Sequence, residues 1–522
     1  MGIWSLSLVL VANGVGAFGG TPATIIRFPT LGARAEGEAV LLAVDSHSLA
    51  IKSNLCFYLS KPKVRKEPVL TPRVDDPKAP DSIGVQGYGT VLFDDGRFRL
   101  WYYALHYGSD RRDIKQGPVC YAESDDGLHW LRPNLGQLEV KGSDENNALR
   151  LADTKTQGPF VIKDPDEANP QRRYKMVYNA HNGSTWVFRT ATSPDGLTWA
   201  CSPDFAVREF LEISSFYKHN GIYVVSGQGL ERSEGGALSG RQGYVRISPD
   251  FDRWLDEAIE AFALPEPADP AERGHRKPYD QVHLGVGGKS LGNATVGLYG
   301  LWHNADGDPS VTATACDLGL VVSNDGIHYR EPVKGHVFLS RFDSVPPPIE
   351  GKHYPTALCQ SGNSIINVGD ETRIYHGRWR NTPSAVDYYV ELGLATLPRD
   401  RWGALGLYPD RSSGSVWSAP VRLPETDWSL SLNADVSGDM RVEIADPAFG
   451  LLAEYCGANA GRTQTEGGLD CPVSWAKGSL RMLQGKTVRF RVQIARSGNS
   501  EPRLYAVYIR AKERRSDVRD SF

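Results

Sequence analysis

The side chains in this chain that could do chemistry are acids and imidazoles at the starts of a few β-rich segments. Glu212 opens Glu212-Ile213-Ser214-Ser215-Phe216-Tyr217, Asp280 and His283 share one short segment, and Glu350 and His353 share another. Carboxyl groups gathered from separate segments can divide acid–base work: one held protonated delivers a proton to a leaving oxygen, and one held ionised attacks or activates water. A lone carboxyl such as Glu212 is costly to bury unpaired, which makes it a functional candidate. The two imidazoles serve equally as packing residues. Asp164, followed by Pro165, also reads as a turn residue, and Asp81 stands just before the first strand-rich stretch.

Strands and tight turns must position these groups. One phrase recurs as SDDGLHW at 124–130, SPDGLTW at 193–199 and SNDGIHY at 323–329, with a looser copy, SPDFDRW, at 248–254. Its Ser, Asn and Asp side chains accept free backbone N–H groups, its glycine tolerates positive φ, and the closing aromatic anchors the next strand. Intervals of several dozen residues suit a four-stranded unit. Ahead of the turns lie β-rich runs at 95–103, 173–178, 220–225 and 296–303, and a fifth run at 369–376 has no such turn after it. These repeats predict an all-β chain with a five-bladed β-propeller over 80–405. Alternating runs at 428–432 and 488–492 predict a C-terminal β-sandwich over 412–512. Residues 21–79 read as an extension packing on the propeller, 255–262 as a loop decoration and 513–522 as a charged tail.

Lys and Arg total 58 against 62 Asp and Glu, a net charge of −4, so no basic face is advertised to nucleic acid. The 12 Trp and 22 Tyr fill strand cores and also suit sugar rings, whose C–H faces pack on aromatic faces. Residues 1–20 are apolar and end in small residues, as a signal peptide does, although no Lys or Arg precedes the run; the expectation is a secreted or periplasmic protein. No later stretch is long and apolar enough to predict a membrane span. The seven cysteines are dispersed without a C-x-x-C pair, so no zinc site is expected. Cys456 and Cys471 either pair in an oxidising compartment or stay as thiols. Asp306-Gly307-Asp308 reads as a plain turn or as a calcium loop, and no metal or cofactor is assigned.

The runs at 87–104, 120–147, 173–178 and 369–376, with the C-terminal alternation, resemble bacterial proteins related to glycoside hydrolase family 32 and, more distantly, family 43. The repeated turns resemble the Asp-box of sialidases, where they sit on the outer rim, and that resemblance assigns Asp126, Asp195, Asp250 and Asp325 to structure. The family places a nucleophilic Asp, a stabilising Asp and an acid Glu on the inner strands of its first three blades. Glu212 falls where that acid belongs, whereas the other two places fall on Gln86 or Gly87 and near Gln157 and Gly158, so the standard triad is not intact. The resemblance therefore implies Glu212 as acid, and the inner-strand starts of the last two blades offer Asp280 or Glu350 as nucleophile or base. Gln86, Tyr88, Gln157, Asp164, His283, His353 and Arg378 become the expected substrate-binding residues. The implied activity is an exo-acting glycoside hydrolase on a carbohydrate substrate. A non-catalytic carbohydrate-binding propeller is the alternative, and a phosphorolytic relative, with His376, Arg378 and Arg380 holding phosphate, is a third.

Overall fold

The computed structural model describes residues 26, 37–207, 211–232, 238–264, 281–304, 314–380, 382, 386–436, 438 and 440–511. Asp280, residues 1–20, Asp306-Gly307-Asp308 and the tail at 513–522 lie outside the described residues.

Regular structure among the described residues is almost entirely β. Four short strands lead: β1 (Glu38–Leu42), β2 (Ile51–Ser53), β3 (Leu55–Leu59) and β4 (Lys63–Val64). Antiparallel meanders follow. The first is β5 (Gly84–Asp94), β6 (Arg97–Tyr107) and β7 (Ile114–Ser124); the second is β8 (Thr156–Lys163), β9 (Tyr174–His181), β10 (Trp186–Ser193) and β11 (Ala200–Cys201). The third is β12 (Glu212–His219), β13 (Ile222–Arg232), β14 (Leu238–Ser248) and β15 (Ile259–Phe262), so part of the segment expected as a loop decoration is a paired strand. The fourth is β16 (Gln281–Ser290), β17 (Thr295–Asn304), β18 (Thr314–Ser323) and β19 (Val337–Leu339). The last is β20 (Thr356–Cys359), β21 (Ile365–Val368), β22 (Glu371–Arg380) and β23 (Tyr389–Pro398), with a 3-10 turn, Gly362–Ser364, between its first two strands. The leading strands pack side by side: β5 on β8, β8 on β12, β12 on β16, with the 3-10 turn touching all four. They enclose a common axis.

The remaining strands, β24 (Gly403–Leu407), β25 (Ser413–Trp417), β26 (Val421–Arg422), β27 (Trp428–Asp435), β28 (Met440–Ala445), β29 (Gly461–Thr463), β30 (Gly468–Ser474), β31 (Thr487–Ala495) and β32 (Arg503–Ala511), form the C-terminal sheet. The N-terminal segment joins both halves: β4 pairs with β23 of the meanders, while β1 pairs with β32, β2 with β25 and β3 with β24. The reason is apolar alternation: Ala39 and Leu41 join Leu432, Phe490 and Val507 in the C-terminal core, and Val40 and Leu42 face Leu298, Leu397 and Trp402 of the meander side. One strand thus binds both halves. Cys456 and Cys471 are free thiols.

The four repeated turns share one hydrogen-bond pattern. Ser124 Oγ accepts from Gly127 N at 2.9 Å, and Asp126 Oδ1 accepts from the N–H groups of Leu128 and His129 at 2.7 and 2.8 Å. Ser193 with Asp195 and Ser323 with Asp325 repeat it. Ser248 and Asp250 do so too, with Phe251 held at φ 74° where the other turns place glycine. The freed glycine carbonyls then accept from neighbouring elements: Gly127 from Tyr375, Gly196 from Trp101 and Gly326 from Tyr217. These acids are structural locks.

Each of β5, β8, β12 and β16 carries a register shift near its start, between Gln86 and Thr90, Gln157 and Phe160, Ile213 and Ser215, and His283 and Val286. A bulge unpairs local backbone and re-aims side chains, so it breaks the strand's ordinary alternation at the same level around the axis. Close approach demands glycine there: a Cβ on Gly87 would collide with the backbone of Gly377. The unpaired groups are satisfied by short polar side chains that lace the axis shut. Asn363 donates to Val161 O at 3.1 Å and Phe216 O at 2.8 Å and accepts from Phe216 N at 2.7 Å. Ser361 donates to Gly89 O, Ser214 and Ser215 to Val286 O, and Gln360 to His283 O and Gly285 O. The result is a polar floor across the axis.

Asn363→Ala is expected to lower the unfolding free energy by about 3 kcal/mol, because it strands buried backbone donors and acceptors that water cannot reach. Equilibrium urea denaturation checks this. A change below about 0.5 kcal/mol, the size of an ordinary surface substitution, would remove Asn363 from the floor.

Candidate functional site

Above the floor, the strand starts bring Glu212, Gln86, Tyr88 and His283 to one mouth. Glu212, the first residue of β12, is partly buried, and its Oε2 accepts from Gln228 Nε2 at 3.2 Å. Gln228 is itself fixed, because its Oε1 accepts from Leu284 N at 2.8 Å. Burial raises the Glu212 carboxyl above the ordinary glutamate range, partly opposed by the Arg241 guanidinium. An ionised Glu212 would in turn act on Tyr88, Tyr103, Tyr388 and Cys359, all of which burial already pushes upward, Cys359 to about 12. The mouth thus sets a carboxyl, its affinity for the proton raised by burial, among phenols and one thiol.

His283 Nε2 lies 3.1 Å from the Tyr88 hydroxyl, and its Nδ1 lies 3.0 Å from Arg241 Nη1. A guanidinium only donates, so Nδ1 is the acceptor and Nε2 carries the proton. Burial holds His283 well below the ordinary histidine range, and Arg241 adds to that shift, so the imidazole is neutral. Trp302 completes the group, with its ring 4.1 Å from that of His283 and 4.9 Å from the Arg241 guanidinium. Gln86 Oε1 accepts from Gly87 N at 3.1 Å, and Gln157, at the start of β8, donates to Gln116 Oε1 at 2.9 Å.

The other sequence candidates lie elsewhere. Asp164 follows the last residue of β8, seven residues beyond Gln157, which is about 23 Å along an extended strand and places it below the floor. There it borders a cavity of about 340 Å³ with Lys163, Lys218, Lys289 and Trp402. Burial works to raise its carboxyl, but the Tyr223 hydroxyl and the Lys218 ammonium, 3.1 Å away, outweigh that and hold it below the ordinary range. Arg378 is buried against Glu391 and also donates to Lys66 O at 2.8 Å, so its guanidinium is taken up inside the fold. His376 is buried on Ser344 Oγ at 2.8 Å, with burial lowering it to about 4. Arg380 donates to the carbonyls of Pro347 and Asp387. Glu350 is exposed in the turn at 349–352, and His353 borders a separate cavity of about 160 Å³ with Tyr354 and Arg380. Among the described residues no three His, Cys, Asp or Glu side chains gather as a metal site requires.

Sequence reasoning missed Arg241, Gln228, Trp302, Tyr103, Tyr388 and Cys359. These come from β6, β13, β14, β17, β20 and the residue before β23, and no local pattern in the sequence joins them.

No protein-family model matches the chain. Uncharacterized protein Rv1502 of Mycobacterium tuberculosis (strain ATCC 25618 / H37Rv) is 30% identical over 158 residues, covering 28% of this chain and 48% of that protein. The chain therefore spans about half the length of the curated relatives it matches. Among solved structures, a glycosyl hydrolase from Bacteroides ovatus aligns with a TM-score of 0.43 at 16% identity, over 66% of this chain and 95% of its own. The β-1,2-mannobiose phosphorylase of Listeria innocua, in complex with β-1,2-mannobiose, aligns with a TM-score of 0.39 at 13% identity, over 66% and 97%. At these values neither assigns a residue or a reaction to this chain.

Proposed function

We propose that the chain cleaves a terminal glycosidic bond of an oligosaccharide, with Glu212 as the proton donor, in the axial mouth of a five-bladed β-propeller that carries a β-sandwich. The observation that carries the proposal is the state of Glu212: a carboxyl held by Gln228 and raised by burial among tyrosines, which suits delivery of a proton to a leaving oxygen. Its surroundings support a sugar as substrate. Side-chain amides such as Gln86 and Gln157 both donate and accept, as hydroxyl groups require, and Trp302, Tyr88 and Tyr388 supply aromatic surface for ring faces. Asp280, three residues before His283, is the proposed nucleophile or base, since Glu350 stands in an exposed turn. A phosphorolytic reaction in the same mouth would need phosphate holders other than Arg378, His376 and Arg380, which are committed to Glu391, Ser344 and backbone carbonyls.

The test is incubation with a panel of oligosaccharides and chromatography of the products. Release of a monosaccharide from one chain end is expected, and binding without any product would contradict the proposal in favour of a non-catalytic protein.

A pH profile adds a sharper check. The protonated carboxyl is the active form, so kcat/KM is expected to fall as pH rises through the ionisation of Glu212. Arg241 favours the ionised form, so Arg241→Gln is expected to move that limb to higher pH. A limb that stays in place would assign the ionisation to another group.

A further inference from the structure

We propose that Arg241 makes this mouth selective for a glycan bearing an anionic substituent, a carboxylate, sulfate or phosphate ester, next to the bond served by Glu212. The inference rests on the reading of the mouth as a glycan site and adds the chemical class of its substrate.

Arginines withdrawn from solvent in this molecule are met by carboxylates or by backbone carbonyls: Arg132 meets Asp81 at 2.8 Å, Arg189 meets Asp153 at 2.7 Å, Arg378 is paired with Glu391, and Arg380 and Arg489 donate to carbonyl oxygens. Arg241 differs. Among the described residues its guanidinium forms no ion pair, and its hydrogen-bond acceptor is the imidazole of His283, a group held neutral. A guanidinium offers five N–H donors and stays charged at any accessible pH, so most of its donors and its whole charge remain unmatched. Glu212 feels the Arg241 charge, but burial raises its carboxyl, and the proposed function needs it protonated as the proton donor. Among the described residues no carboxylate is paired with this guanidinium, and a ligand anion would satisfy it.

Trp302 lies 4.9 Å from the guanidinium and His283 holds one of its N–H groups, so the plane is preorganised and its remaining N–H donors are those a ligand anion would take. Planar bidentate donors match carboxylate, sulfate and phosphate oxygens. The selectivity must be local, because the chain as a whole carries a net charge of −4 and its long-range field repels anions.

The experiment is a glycan array printed with matched pairs: a uronate beside its methyl ester, and sulfate and phosphate esters beside the free hydroxyl. Inorganic phosphate is added as a competitor in a second arm. Wild-type protein is expected to prefer the acidic member of a bound pair by about tenfold or more. Arg241→Gln is expected to bring the acidic and neutral members of each pair to equal binding, and Arg241→Lys to restore part of the preference, with circular dichroism confirming that both variants fold. Equal binding of acidic and neutral members overturns the inference and leaves the glycosidase reading standing. Binding or turnover that depends on inorganic phosphate, without preference for acidic glycans, also overturns it. Failure to bind any glycan overturns both.

Discussion

Glu212→Gln is expected to lower turnover by about 10²- to 10⁴-fold, the usual contribution of a positioned general acid. Glutamine preserves the shape of the side chain and keeps an oxygen that can accept from Gln228, but it has no proton to give to a leaving oxygen. Stability should move the other way or not at all. A carboxyl whose folded-state affinity for protons is raised opposes folding once it ionises, so removing it relieves that opposition as pH rises toward neutrality. Steady-state kinetics with urea denaturation separates the roles. Lost turnover with unchanged or increased stability marks a functional acid, whereas lost stability would mark a structural one.

Glu391→Gln is expected to lower the unfolding free energy by about 3–5 kcal/mol, the cost of leaving a buried charge without its partner. Arg378 and Glu391 are 3% and 0% exposed. The Arg378 Nε lies 2.8 Å from Glu391 Oε1, and Tyr389 donates to Oε2 at 2.8 Å. Glutamine keeps an acceptor but removes the counter-charge, and the guanidinium cannot shed its proton. The double variant Arg378→Met with Glu391→Leu should recover much of the loss, since an apolar pair of similar volume removes both desolvation costs. Chemical denaturation of the three variants measures it. A double variant no better than Glu391→Gln would show that packing, not charge, sets the effect.

What could be seen in the sequence was local. The turn at 124–130 is legible because Ser124, Asp126 and Gly127 satisfy one another's backbone within a few residues, and the strands announce themselves by β-rich runs. The pairing of β1 with β32 was not legible. Glu38 and Arg510 are 472 residues apart, and nothing in the residues of β1 says which sheet they complete. The site divides the same way. Resemblance placed the acid on Glu212, but Arg241 reaches His283 across 42 residues, and strand bulges lie beside Glu212 and His283 on β12 and β16. Asp164 shows the converse: strand alternation alone does not tell which end of β8 faces the mouth, and the bulge near Gln157 marks the other end.

The central claim, that Glu212 donates the proton, is tested most directly by leaving-group dependence. A 2,4-dinitrophenyl glycoside departs without protonation, whereas a sugar or alkyl leaving group requires it. With the sugar identified by the panel, Glu212→Gln is predicted to keep near wild-type kcat/KM on the dinitrophenyl glycoside and to lose about 10³-fold on the alkyl glycoside. An equal loss on both substrates would contradict the assignment.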